Sequence, residues 1–240
     1  MSIGWRRLCV GHLMLCCILL SAMPRAQSRA QPLVGVGAGR RLPVDLAAPP
    51  WRMIGLLQTD GGTRCTAFLV APSVIRTAAH CLYIRRTGHF VIASHIHFLL
   101  GYTAGTFRAR AVGRAYILHR GYRPDIVSDC DEATIVLDHA VGSASDLLRI
   151  GQPVAGSQAM LAGYEQDRAE IAIADESCHI LGVEGATNGL IEHDCAGTHG
   201  ASGAPLLVRD GREWIIAGIA IAARAGRGGV ALRMDRQSER

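Results

Sequence analysis

From Trp51 to Met234, short apolar runs alternate with turn residues, and this alternation limits what the chain can fold into. Ile54–Gln58 ends at Asp60-Gly61-Gly62, and Cys65–Val70 ends at Ala71-Pro72-Ser73. Gly supplies 28 of the 240 residues, a share well above the usual ~7%. Such a chain has many tight turns and few long helices. The pattern predicts an all-β barrel or sandwich.

The apolar runs fall into two groups, separated by a loop around residues 141–155. Each run has the length of a single strand. The predicted strands are Ile54–Gln58, Cys65–Val70, Val74–Thr77, His95–Leu100, Ala109–Leu118, Thr134–Leu137, Ala159–Ala162, Glu170–Ala174, His179–Val183, Leu190–Asp194, Leu206–Val208, Trp214–Ile221 and Val230–Met234.

The N-terminus has the pattern of a secretory signal. Arg6 and Arg7 precede an apolar run over 8–23, and small residues follow at Ala22 and Ala26. A single membrane anchor is the alternative, but the run is short and contains His12. We therefore expect residues 1–26 to be a signal peptide and the mature protein to be secreted or periplasmic, with no membrane segment after cleavage. Residues 27–49 are expected to form a flexible N-terminal segment.

Charge and composition exclude several classes of function. The formal charge is +5, and removing Arg6, Arg7 and Arg25 leaves 5 − 3 = +2. There is no dense basic run and only 5% aromatic residues, so we expect no nucleic-acid partner. All 25 basic residues other than histidine are Arg, which excludes any mechanism that needs a lysine.

The cysteine count agrees with export. Eight Cys occur in the chain, and those outside the signal are Cys65, Cys81, Cys130, Cys178 and Cys195. An exported chain keeps disulfides, and an odd number leaves one thiol free or paired outside the chain. The sequence contains no CxxC spacing of the kind that binds structural zinc, and we expect no metal and no cofactor.

Three segments carry candidate chemistry. In the first, Cys65 and Cys81 bracket a segment that ends in His80, and a disulfide there would hold the histidine backbone as a general base requires. In the second, Asp131 heads the alternating row Ala133, Ile135 and Leu137, so its carboxylate would be partly buried. Asp129 has the same parity and is the alternative.

The third segment runs from Gly197 to Pro205 and contains Ser202 among small residues. A nearby backbone without bulky side chains lets a substrate approach closely. The amides of Gly200 and Ser202 form a candidate oxyanion hole. Taken singly, each of the three segments is also compatible with a purely structural role.

Together the segments occur in the order His80, Asp131, Ser202, which is one known order of a catalytic triad. The motifs Thr77-Ala-Ala-His80-Cys81, Asp131-x-Ala133-x-Ile135 and Gly200-x-Ser202-Gly203-x-Pro205 resemble those of trypsin-like serine proteases, in particular the bacterial V8-type glutamyl endopeptidases. The aspartate motif of that family favours Asp131 over Asp129.

The resemblance implies a chymotrypsin-like fold of two antiparallel six-stranded β-barrels, residues 50–140 and 141–240, with the active site in the cleft between them. It implies a monomeric endopeptidase acting on a protein or peptide substrate, which Thr198, His199, Ile221 and Ala222 would help to bind. It also implies the disulfides Cys65–Cys81 and Cys178–Cys195, with Cys130 left over.

Two features depart from the family. Ala201 precedes the serine, where digestive members carry an acid that pairs with a freshly cut N-terminus, so that activation switch is expected to be absent. The segment Gly218–Ala223 is apolar, where Glu-specific members usually have a His, which leaves specificity open. His199 is a candidate contact for an acidic side chain.

Two other classes of function remain as alternatives. One is a catalytically silent relative that binds a peptide or protein partner, and the other is an unrelated exported β-rich binding domain. A metal site formed from His95, His97, His179, His193 and His199 is a further, weaker alternative to surface histidines.

Overall fold

Antiparallel strands make up nearly all of the regular structure, as the alternating sequence predicts. The computed structural model describes residues 38–184, 189–224, 226 and 228–234, all within a compact unit that begins at Leu33. The predicted signal peptide lies outside the described residues. Within those ranges there is no α-helix, and the short 3-10 helices are Ala38–Arg40, Trp51–Met53, Ala79–Leu82, Ala93–His95, Ala144–Asp146 and Gln166–Arg168.

The first half forms a closed six-stranded barrel. Its strands, in spatial order, are β2, β3, β4, β9, β8 and β7. Alternate residues of β9 are buried, so one face of each strand lies against the interior. A small hairpin, β5–β6, lies outside this barrel. The strands are β2 Ile54–Thr59, β3 Arg64–Ala71, β4 Val74–Thr77, β5 Tyr83–Ile84, β6 His89–Phe90, β7 Ile96–Leu100, β8 Ala109–Leu118 and β9 Ala133–Leu137.

The second half forms another ring of six strands. The spatial order is β11, β10, β13, β14, β15 and β12, and pairing of β12 with β11 closes the ring. The interior contains Ile191, Leu206 and Ala231, which share a buried apolar cluster. The two-barrel prediction is therefore confirmed. The strands are β10 Gln158–Tyr164, β11 Ala172–Val183, β12 Leu190–His193, β13 Pro205–Asp210, β14 Glu213–Arg224 and β15 Gly228–Arg233.

One strand is longer than its sequence pattern indicates. Glu170–Ala174 and His179–Val183 were predicted as separate strands, but β11 is continuous over Ala172–Val183. Glu176 and Ser177 are exposed and interrupt the apolar pattern. The register with β10 shifts there, so that Glu176 and Ser177 form a bulge, and pairing resumes at Cys178 and His179.

The N-terminal segment differs from the flexible segment expected for residues 27–49. Residues 27–37 lie outside the described ranges, but β1, Leu42–Pro43, pairs with β11 at Ala174 and Ile173. Arg41 is 2% exposed and forms ion pairs with Glu165 and Asp167. Adjacent arginines after a glycine-rich stretch are typical of a polar linker, and the burial of Arg41 is explained by the carboxylates of Glu165 and Asp167.

Both predicted disulfides are present. Cys65 is bonded to Cys81 and Cys178 to Cys195, while Cys130 is free and half-buried. The first bond ties β3 to the 3-10 helix that contains His80. In the part of the chain that the structure describes, no helix has the length and apolar character needed to span a membrane.

Candidate active site

A cleft of about 450 Å³ brings together residues from distant parts of the sequence. His80 and Asp131 reach it from the first barrel, and Ser202 reaches it from the loop before β13. All three predicted catalytic residues therefore line the same cleft. Its walls also include residues of β14 and the loop 122–127.

The imidazole of His80 is held by the Asp131 carboxylate. Nδ1 of the ring lies 2.7 Å from Oδ2 of Asp131, and the backbone N–H of His80 donates to Oδ1 at 2.9 Å. The first amides of a helix have no acceptor within it, and one Asp131 oxygen supplies that acceptor for the helix Ala79–Leu82. The carboxylate thus sets both the position and the tautomer of the ring.

Burial separates Asp131 from the alternative Asp129. The side chain of Asp131 is 6% exposed, and that of His80 is 28% exposed. Asp129 is exposed, and its carboxylate contacts the thiol of its neighbour Cys130. The parity argument left both residues open, and only Asp131 is in contact with His80.

Ser202 is held by backbone contacts from both barrels. Its carbonyl accepts the amide of Thr66 at 2.9 Å, and the next amide, Gly203, donates to Ala220 at 2.7 Å. Gly203 has φ +81°, and a Cβ there would lie 2.1 Å from the Thr77 hydroxyl. Only glycine permits this turn, so the Ser-Gly pair reflects how closely the two barrels approach each other.

The Gly200 and Ser202 amides are available to a ligand. The carbonyl of His199 accepts the Gln166 amide at 2.6 Å. Because N–H and C=O of a trans peptide point in opposite directions, the Gly200 amide points away from Gln166. Neither the Gly200 nor the Ser202 amide has an acceptor among the described residues. Gly200 itself has φ +96°, and a Cβ would lie 2.2 Å from the Tyr164 carbonyl.

The predicted substrate-binding residues all line the cleft, but they differ in what they can offer. His199 is exposed at the rim, whereas Ile221 and Ala222 form an apolar wall. Thr198 is 7% exposed, and its amide donates to Glu165 at 2.5 Å. The polar groups of Thr198 thus face the protein interior.

Two buried ionic groups beside the site were missed by the sequence analysis. Arg76 on β4 pairs with Glu132, next to Asp131. Arg41 pairs with Glu165, and burial raises the pKa of that carboxyl to about 7 although Arg41 and the Thr198 amide act to lower it. The partners are far apart in sequence, so no local pattern signals them.

His193 lies in the floor of the cleft on β12. It is 2% exposed, and neither ring nitrogen has a hydrogen-bond partner among the described residues. Burial lowers its pKa to about 4, against the opposing charges of Asp194 and Asp175. The ring is therefore neutral at physiological pH.

The histidines considered as metal ligands lie in different places. His95 and His97 both contact Asp60 on the first barrel, whereas His193 and His199 line the cleft. Among the described residues, the group with metal-ligand spacing is Cys65, His80 and Cys81. Both of these cysteines are in the disulfide, so they offer no thiolate to a metal.

Thr66 links the barrels beneath the serine loop, and this role is testable. Its buried hydroxyl donates to the Gly200 carbonyl at 2.9 Å and accepts the Tyr164 amide at 2.9 Å. We expect Thr66→Val to lower the free energy of unfolding by about 2 kcal/mol, because a buried amide loses its acceptor. Urea titration measures this, with Thr66→Ser as the matched control. Equal stability of the two variants would contradict this role.

Comparison with known proteins places this geometry in a family. The Trypsin family model matches residues 45–237, which include all three candidate catalytic residues. No curated protein matches the chain. Solved structures that match include that of a Glu endopeptidase in complex with MPD, with 21% identity, a TM-score of 0.68, and coverage of 82% of this chain and 92% of that chain. At this identity the likeness shows the common fold.

The family match extends over most of the chain and spans both barrels. The protein therefore belongs to the trypsin family and is a trypsin-like serine endopeptidase.

Proposed function

We propose that the protein is an exported serine endopeptidase that cleaves peptide bonds through His80, Asp131 and Ser202. The observation that carries the proposal is the pair of contacts from Asp131 to the ring and backbone of His80. With Ser202 on the same cleft, an oriented base, its orienting acid and a nucleophile are present together.

The chemistry follows from these contacts. Asp131 accepts a hydrogen bond from Nδ1–H, so the lone pair of His80 is on Nε2. Nε2 takes the Ser202 hydroxyl proton while Oγ attacks the peptide carbonyl, and it then gives that proton to the leaving amine. The acyl-enzyme formed on Ser202 is hydrolysed by water in the same two steps. Asp131 stabilises the imidazolium that forms during each step.

The amides of Gly200 and Ser202 would stabilise the negative charge on the carbonyl oxygen. Because both amides lack acceptors within the described protein, they are free to donate to the developing oxyanion. Each such donor typically lowers the barrier by about 3–4 kcal/mol. The carbonyls of the same two peptides are held in place, since the His199 carbonyl accepts the Gln166 amide and the Ala201 carbonyl accepts the Ala204 amide, and this keeps the two donors oriented before the substrate arrives.

The substrate is a protein or peptide. His199 at the rim, with Thr198, Ile221 and Ala222 along the wall, is proposed to contact its side chains. Export to the periplasm or the medium is supported by the two disulfides, which persist in oxidising compartments, and by the signal pattern of residues 1–26.

The test is covalent labelling of the purified protein by an organophosphonate probe, read by intact mass. We expect one adduct on wild type and none on Ser202→Ala, since the probe reacts only with an activated serine. A peptide-library digest then reports cleavage and the preferred residue. If a folded wild-type protein neither takes up the probe nor cleaves any peptide, the proposal is contradicted, and the alternative hypothesis of a catalytically silent relative that binds a peptide or protein partner is favoured.

A further inference from the structure

Arg41 is a buried cation with two carboxylate partners on the second barrel. Its Nη1 contacts Glu165 and lies 3.0 Å from Oδ1 of Asp167, and its Nη2 lies 2.7 Å from Oδ2 of Asp167. The side chains of Arg41 and Glu165 are each 1% exposed. A charge this buried is stable only when it is paired and hydrogen-bonded, and the planar guanidinium bridges both carboxylates at once.

The same carboxylates hold the loop that contains the oxyanion amides. Oε2 of Glu165 accepts the Thr198 amide at 2.5 Å, and Oδ1 of Asp167 accepts the Thr198 hydroxyl at 3.3 Å. Between them, the Gln166 amide donates to the His199 carbonyl at 2.6 Å. That last bond sets the orientation of the His199–Gly200 peptide. A short chain of contacts thus leads from Arg41 to the Gly200 amide.

Arg40 binds the other end of the same loop. Its Nη2 lies 2.9 Å from Oδ2 of Asp175 and donates to the Asp194 carbonyl at 2.6 Å. The Asp175 carboxylate is fully buried and accepts the Ala196 amide at 2.7 Å. Two adjacent arginines are therefore linked to the two ends of the segment 194–199, Arg40 by a direct contact with Asp194 and Arg41 through Glu165 and Asp167.

Ala201, the residue before the nucleophile, is uncharged and therefore cannot hold this loop through an ion pair. We propose that Arg40 and Arg41 form an internal clamp that positions the oxyanion loop, so that the active enzyme must retain both residues. The proposal rests on the proposed function of the Gly200 amide. Arg41 is a positioning residue, because it acts through Glu165 and Asp167 and does not line the cleft.

The test compares Arg41→Lys with wild type. Lysine keeps the charge but offers a single point of contact, so it cannot bridge two carboxylates. We expect kcat to fall about tenfold with KM nearly unchanged, because the misplaced amides act in the transition state. We also expect faster hydrogen exchange in residues 194–204 and unchanged exchange in 96–100, a strand that pairs only within the first barrel.

Arg149→Lys is the matched control. Arg149 also contacts two carboxylates, Asp210 and Glu213, but it is half-exposed and lies outside the active-site cleft. This variant should keep the kcat and loop exchange of wild type. Arg41→Met, which removes the charge at similar length, is a second variant with a larger expected loss. If it does not fold, Arg41→Lys alone decides.

Wild-type kcat and wild-type loop exchange in a folded Arg41→Lys variant would overturn the clamp. Hydrogen exchange does not require activity, so this failure is distinguishable from failure of the proposed function, which the probe on wild type reports. N-terminal sequencing of the active mature protein gives a second check. Its first residue should be at or before Arg40, and a fully active chain that begins at Leu42 or later would also overturn the proposal.

Discussion

Replacing Asp131 by Asn is expected to lower kcat about 10⁴-fold. The carboxylate accepts two hydrogen bonds from His80, one from the ring and one from the backbone. An amide retains the shape but presents an NH₂ group to one of those donors, so the ring favours the tautomer with its proton on Nε2. That tautomer cannot take the proton of Ser202.

Steady-state kinetics on a cleaved peptide measure this effect, and Asp129→Asn is the matched control. Asp129 is two residues away, has the same parity and is exposed, so its amide variant should retain activity within about twofold, as surface substitutions usually do. Loss of activity in Asp129→Asn together with normal turnover in Asp131→Asn would show that Asp129, and not Asp131, orients His80.

The second large effect is a loss of stability in mild acid that is traceable to His193. Its pKa is lowered by burial from 6.5 to about 4. Between these two values the unfolded chain binds a proton that the folded protein does not, so stability is complete above pH 6.5 and is lost as the pH falls towards 4. The expected contribution is about 3 kcal/mol.

The measurement is the free energy of unfolding in urea between pH 8 and pH 4 for wild type and His193→Phe. The variant keeps an aromatic ring in the floor of the cleft but cannot be protonated. Because the carboxylates titrate alike in both proteins, the difference between the two curves isolates His193. We expect the wild type to lose stability relative to the variant as the pH falls from 6.5 to 4, and a constant difference would show that the ring binds its proton equally well in the folded and unfolded states.

Strand positions followed from local patterns, because inward and outward residues alternate along each strand, whereas the two-barrel fold was expected from the resemblance to trypsin-like proteases. The predicted break in β11 at Glu176 and Ser177 was wrong, because these residues form a bulge after which the strand continues. The segments that contain His80 and Ser202 were also recognisable, because the motifs by which they resemble trypsin-like proteases are local in sequence.

The sequence by itself determined the class of fold, the residue types of the site and their order, since these depend on neighbours along the chain. Alternation along the strand left Asp129 and Asp131 equivalent and the family resemblance favoured Asp131, but the tertiary structure alone shows that Asp131 is buried in contact with His80. It also decided the role of Arg41, whose carboxylate partner Glu165 lies 124 residues away. A buried charge is stable only where folding places an opposite charge beside it, and a local sequence pattern does not show which distant residues come into contact.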